Sequence, residues 1–242
     1  MRLFIHPALE ASHVPLLMGT APSDPAEIIA VVPERNGPGR WSDGQDHPEV
    51  DPTRTPVWED GRSAVIEAPA PVAELLKTIR AVGRATEQAR YEMLARETFA
   101  QLDAFDARLA AQRYLSGSQE PGLEDMWLFA VLVRFDSAYY GFYKLTQRRI
   151  ASYPQLGPWL RDLYQRDGVA NTVQWTTIVR HFAWESEGTN PKRLVPRGGI
   201  PDLRVPHDRW RFHPQAQDGS GAIEEDPSRP RRPGEWVRPQ SG

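Results

Sequence analysis

Proline is spread unevenly over this chain, and that unevenness limits what it can fold into. Residues 1–71 hold eleven of the twenty-three prolines, residues 72–200 hold five and residues 201–242 hold seven. Proline removes a backbone donor and clashes with the preceding turn of a helix, so only the middle stretch has room for long helices. There Leu75, Leu76, Ile79 and Val82 form one stripe, and Tyr91, Leu94, Thr98, Leu102, Phe105 and Leu109 form another at steps of three and four, as on one face of a helix. After a polar break at Gly117–Gly122, the run Leu123–Tyr143 is apolar nearly all round, the pattern of a helix buried in a bundle. Tyr153-Pro154 interrupts; Gln155–Gln165 and Val169–Trp184 then read as two more helical stretches.

The flanks differ. Arg2–Ile5 and Glu27–Val32 are short β-rich runs, with Thr55–Trp58 and Ser63–Ile66 as further candidates, while Asn36–Pro56 is mostly loop residues. Beyond Leu203 the tail carries seven bases and six acids with few aliphatic residues, which fits either disorder or an extended wrap over the core. The chain is therefore expected to be α+β, mainly α: a small unit over 1–71, a helical domain over 72–200 and an irregular tail over 201–242.

Thirty-two acids against twenty-nine bases give a net charge of −3, without the basic surplus that nucleic acid requires. The longest apolar stretch, Trp127–Val133, is far too short for a membrane span, and the N-terminus has no signal-peptide pattern, so a cytoplasmic protein is expected. There are no cysteines, which removes disulfides, thiolate metal sites and thiol catalysis from the chain itself. The six histidines are scattered, so no metal site is expected.

Leu128–Phe182 carries Arg134-Phe135-Asp136, Tyr139, Gly141, Lys144, Arg148-Arg149-Ile150, Tyr153-Pro154, Leu160–Gln165, Gly168-Val169-Ala170, Thr172-Val173 and Arg180-His181. In this order and spacing the segment resembles the helical domain of the Xi-class glutathione transferases, the glutathionyl-hydroquinone reductases. The resemblance implies a thioredoxin-like N-terminal unit, here reduced, followed by an all-α C-terminal domain. It further implies a dimer, homomeric or heteromeric, acting on a small-molecule ligand.

In that family the first strand leads into Cys-Pro-Trp; here His6-Pro7 falls in that place. Thr55-Pro56 takes the place of a Val-Pro whose cis proline faces glutathione, and Glu67-Ala68 that of a Glu-Ser pair that binds the γ-glutamyl end. The resemblance makes Tyr139 the tyrosine that donates to the quinol oxygen. With His6 as a general base, Tyr139 is the catalytic candidate; Pro56, Glu67, Tyr143, His181 and Trp184 are the substrate-binding candidates. The family reaction needs a thiolate to attack the sulfur of the conjugate. The absence of cysteine therefore leads to the expectation that the chain is not a glutathionyl-hydroquinone reductase. Instead, a repurposed enzyme of thiol-independent chemistry (elimination, isomerisation or addition), placed in specialised biosynthesis, is expected. A non-catalytic partner subunit and a transferase that binds glutathione or mycothiol are the alternatives, and no resident cofactor is expected otherwise.

Overall fold

The computed structural model describes residues 3–5, 9–18, 28–34, 37–47, 50, 55–60, 62–185 and 188–212. In chain order the elements are β1 (Leu3–Ile5), α1 (Glu10–Leu17), β2 (Ile28–Glu34), β3 (Gly37–Trp41), β4 (Val57–Trp58), α2 (Ala70–Gly83), α3 (Gln88–Arg108), α4 (Leu123–Leu132), α5 (Tyr140–Phe142), α6 (Leu156–Gln165) and α7 (Trp175–Glu185). The strands form one sheet in the order β3-β2-β1-β4. β1 runs parallel to β2, pairing Leu3 with Ile28 and Ile5 with Ala30, and antiparallel to β4, pairing Phe4 with Val57. The β1–α1–β2 crossover is what makes the parallel pair possible. No helix of the described residues is long and apolar enough to cross a membrane.

Two expectations about the N-terminal unit change. Gly37–Trp41, within the stretch read as loop, pairs antiparallel with β2, Val31 opposite Trp41. Ser63–Ile66 is no strand; it contributes a single bridge, Ser63 to Val57. The sheet keeps its own small apolar cluster of Leu3, Ile5 and Ala30, joined by Leu16 from α1. Val14, on the same helix, belongs instead to the large core shared by α2, α3, α4, α6 and α7. α1 is thus the piece common to both cores.

The helical region follows its stripes. Leu75, Ile79 and Val82 of α2 face Leu94, Thr98, Leu102 and Phe105 of α3, all buried. Aspartates fix the helix starts. Asp106 on α3 accepts from the amides of Gln155 and Leu156 at 2.9 and 2.8 Å, capping α6 from outside. Asp125 accepts from the Leu115, Ser116 and Gly122 amides and from Trp159 Nε1 at 2.8–3.2 Å. Each such bond satisfies an orphan amide at a turn or helix start, worth about 1 kcal/mol.

The run Leu123–Tyr143 is not one continuous helix. α4 ends at Leu132, and Phe135–Tyr139 forms a π-helical segment before α5. The Tyr139 amide reaches back to the Arg134 carbonyl at 3.4 Å, five residues away, with the Ala138 amide on the same oxygen at 2.8 Å. Such insertions re-aim the side chains that follow, and they recur at functional sites.

Residues 201–212 lie over the bundle as an arm; 213–242, the rest of the tail, lie outside the described residues. The arm is held by Arg209, fully buried, which donates to the carbonyls of Leu109 and Arg113 at 2.9 and 2.6 Å and to Gln155 Oε1 at 3.1 Å. Beneath it Arg113 and Asp162 form a buried two-pronged pair, both contacts 2.8 Å.

Candidate functional site

α1 starts at Glu10, with Leu9 in the capping position and no side-chain cap. Helices normally begin on Ser, Thr, Asp or Asn, so an apolar cap followed by a buried acid points to a requirement other than helix stability. Glu10 is almost wholly buried. One carboxylate oxygen accepts the hydroxyl of Tyr139, and the other accepts Arg80 Nη2 at 2.7 Å. Burial pushes the Glu10 carboxyl up, but Arg80, Arg134 and the Tyr139 hydroxyl outweigh it and hold it below the ordinary range. Burial and then the adjacent Glu10 charge push the Tyr139 phenol well above its ordinary value. The pair is therefore a carboxylate and a neutral phenol at neutral pH.

Arg134, fully buried, ties the start of α1 to α4. It donates to the Leu9 carbonyl at 3.1 Å and to the Ala130 carbonyl, and its Nη1 lies 3.1 Å from His13 Nδ1. Because guanidinium only donates, Nδ1 must accept, which leaves the ring proton on Nε2. Nε2 then donates to Thr172 Oγ1 at 2.7 Å, and the Thr172 hydroxyl in turn donates to the Val169 carbonyl at 2.7 Å. Burial and then Arg134 push the His13 imidazole well below its ordinary value, consistent with a neutral ring.

The rings behind the pair come from three elements. Tyr143 stacks on Tyr139 with centroids 5.4 Å apart, and Phe182 of α7 stands edge-on to both, at 5.3 and 5.8 Å. Tyr143 is half-buried and lies flat against Gly83, where an added Cβ would come within 2.5 Å of its ring. Its phenol is pushed up by burial and then by Glu10. Arg80 is 42% exposed at its side chain, so the cluster reaches solvent beside Tyr143. Next to that opening, the α2–α3 turn bounds a groove of about 430 Å³ carrying Arg84, Glu87 and Arg90. That volume is in the range of small-molecule sites.

The remaining sequence candidates are dispersed. The Thr55–Pro56 bond is cis and Pro56 is buried. Thr55 Oγ1 lies 3.4 Å from Ser12 Oγ on α1, which joins this loop to the site helix. Glu67 is exposed on the stretch before α2. His181 rests edge-on against Phe182 at 5.1 Å, and Arg180 lies over the Trp184 ring at 5.5 Å. His6 lies outside the described residues. Sequence reasoning missed Glu10, His13, Arg80 and Phe182 as parts of the site. For Glu10 one signal existed: an acid in the first turn after the first strand, where a helix start attracts negative charge.

Residues 88–162 match the model of the glutathione S-transferase C-terminal domain. The chain is 35% identical over 127 residues to the glutathionyl-hydroquinone reductase of Escherichia coli, covering 52% of this chain and 38% of that protein. It is 30% identical over 161 residues to the glutathionyl-hydroquinone reductase of Sphingobium chlorophenolicum, covering 66% and 47%. The chain thus spans less than half the length of these curated relatives. A Xi-class glutathione transferase from Natrialba magadii superposes with a TM-score of 0.67 at 26% identity, covering 86% of this chain and 84% of that one. The fold is also that of the Escherichia coli enzyme solved with glutathione bound (TM-score 0.68, 23% identity, 86% and 87% covered).

One expectation is overturned here. Relatives named glutathionyl-hydroquinone reductases point to that activity, against its exclusion on sequence grounds. The exclusion counted only sulfur carried by the chain, whereas a thiolate from solution attacks a sulfur by the same exchange chemistry. The fold is a thioredoxin-like unit followed by a helical domain, and the chain carries no cysteine. Residues 88–162 thus match a glutathione S-transferase C-terminal domain, in a chain similar to glutathionyl-hydroquinone reductases and Xi-class glutathione transferases.

Proposed function

We propose that the chain binds a glutathione-conjugated quinol beside Tyr143 and Arg80, with Tyr139 and Glu10 moving the proton, while a free thiol supplies the sulfur nucleophile. The reading is carried by the buried Tyr139–Glu10 pair, which joins the helical domain to the first helix of the N-terminal unit. It is supported by the names of the relatives and by the absence of any thiol in the chain. The thiolate of free glutathione attacks the sulfur of the conjugate. The new S–S bond forms as the aryl C–S bond breaks, its electron pair passes to the ring, and the ring carbon takes up one proton. The products are glutathione disulfide and the free quinol. The Tyr139 hydroxyl exchanges Glu10 for the ligand and delivers that proton, and Arg80 and Arg134 stabilise the charge left behind. The arginines Arg84 and Arg90 at the groove suit the two carboxylates of glutathione. The cytoplasm, where thiols stay reduced, is the fitting compartment.

The test is turnover of a glutathionyl-quinol with free glutathione present. Wild type is expected to release quinol faster than the uncatalysed mixture, with Tyr139→Phe slower by about a hundredfold. Equal rates for wild type and Tyr139→Phe, or for wild type and buffer, would refute the proposal. A second reading, thiol-independent elimination or isomerisation on the same pair, is favoured by a carboxylate and phenol already in contact. Product formed without added thiol, and lost in Glu10→Gln, would select it.

A further inference from the structure

A second cavity, of about 290 Å³, lies between the π segment, the start of α6 and the crossing chain at 199–203. Its walls include Arg149, Arg161, Gly157, Gly199, Ile200 and Leu203. Neither the proton pair nor the groove at the α2–α3 turn contributes to it. Gly198 and Gly199 both hold left-handed backbone, with φ of 87° and 84°, conformations that favour glycine and that turn the chain across the mouth.

Its charges are unevenly matched. Asp136 also lines the cavity, but its carboxylate is occupied by the amides of Ile150 and Ala151 at 2.8 and 3.2 Å. Asp202 sits at the exposed rim and accepts the Arg204 amide at 3.0 Å. Arg149 rests over the Tyr140 ring at 4.0 Å, donates to the Asp136 carbonyl at 3.5 Å and acts on the Asp136 carboxylate through its charge. Arg161 Nε is sealed from solvent without a hydrogen-bond partner. Asp208 on the arm acts on Arg161 through its charge; its Oδ2 accepts from Arg211, while its Oδ1 is itself buried without a hydrogen-bond partner. Arg161 is half-buried, and a guanidinium N–H sealed from solvent without an acceptor is costly, a cost that a bound anion would relieve.

We propose that this cavity is a binding site for a small oxyanion, a carboxylate or phosphate group, held by Arg161 and Arg149. Guanidinium groups recognise both anions through paired charge-assisted hydrogen bonds. The volume admits a compact organic acid and leaves Ile200 at the entrance. Arg161 in its unliganded state is disfavoured by burial, which lowers its pKa, so the same site strengthens when an anion arrives.

Calorimetric titration of the full chain with inorganic phosphate and with succinate, at fixed ionic strength, tests this. At least one is expected to bind one-to-one with Kd of about 0.1–1 mM. The two arms separate a phosphate-bearing ligand from a carboxylate. Arg161→Met should weaken binding at least about tenfold, with melting temperature little changed, because it removes a half-buried guanidinium whose Nε has no acceptor. Ile200→Trp, a change at an exposed position, should abolish binding by filling the mouth. Binding of neither anion, or binding that survives both substitutions, would overturn the assignment. Glu10→Gln should leave anion binding intact, so the site at Tyr139 and this one fail independently.

Discussion

Between α3 and α6 the helical region aims carboxylates at backbone amides and guanidinium groups: the half-buried Asp106 at α6, and the buried Asp125 at the turn before α4 and Asp162 at Arg113. Its apolar stripes are continuous through five helices. The N-terminal unit has strands of two to seven residues and an apolar cluster of its own built on Leu3, Ile5 and Ala30. α1 joins the two through Val14 in the large core and through Glu10, His13 and the Leu9 carbonyl, bound to Tyr139, Arg80, Thr172 and Arg134, beside a second link from Trp127 Nε1 to the Ile66 carbonyl at 3.1 Å. The contrast teaches that the polar cluster is at once the joint and the candidate reaction centre. A ligand that alters Glu10 or Tyr139 must therefore alter how the two regions meet.

Four experiments press on that comparison. Asp162→Ala leaves Arg113 buried without its partner and should cost about 3–5 kcal/mol of global stability, read by urea denaturation. Little loss would show that the arm and α6 are not part of the cooperative core. Arg134→Met should cost less, about 2–3 kcal/mol, and its effect should be local. Hydrogen exchange should rise in α1 while α3 and α6 stay protected; uniform exchange through all helices would contradict the joint.

Gly83→Ala drives a methyl into the Tyr143 ring and should cost about 1–3 kcal/mol by overpacking, with a changed tyrosine fluorescence or ring NMR signal. A silent Gly83→Ala would mean that Tyr143 does not sit against α2. The smallest effect is in pH. His13 has a folded pKa well below its reference value of 6.5, so the unfolded chain binds more protons in that window. Stability from this group is fully present above about pH 6.5 and falls as pH drops below it, by up to about 1.4 kcal/mol per pH unit. Melting curves at pH 7.5 and 5.5 should differ, and His13→Gln should shrink the difference. Glu10 adds a separate loss at lower pH, as its depressed carboxyl protonates.

Much of the architecture was readable in the residues. The stripes Leu75–Val82 and Tyr91–Leu109 mark the inward faces of α2 and α3, because burial selects apolar side chains every third or fourth position. The break at Gly117–Gly122 precedes α4. β3 was not readable: Gly37-Pro38-Gly39 shows no alternation, and only its neighbour β2 makes it a strand. The π segment was hidden for a related reason. Where every side chain from Trp127 to Val133 is buried, periodicity carries no information about where the helix changes its winding.

The candidate site shows the same division. Tyr139 stands out in sequence by its register within a resembling segment, and the absence of cysteine is a matter of composition. The partners of this tyrosine do not stand out, since Glu10 is 129 residues from Tyr139, and Arg80 is 70 from Glu10. The sequence alone determined where the long helices of the middle stretch lie, which of their side chains are apolar enough to be buried, and which chemistry the chain cannot perform unaided. Only the tertiary structure decided that an acid in the first turn of α1 meets a phenol on the π segment. Proton affinities there depend on burial and on charges a few ångströms away, and linear order does not encode those distances.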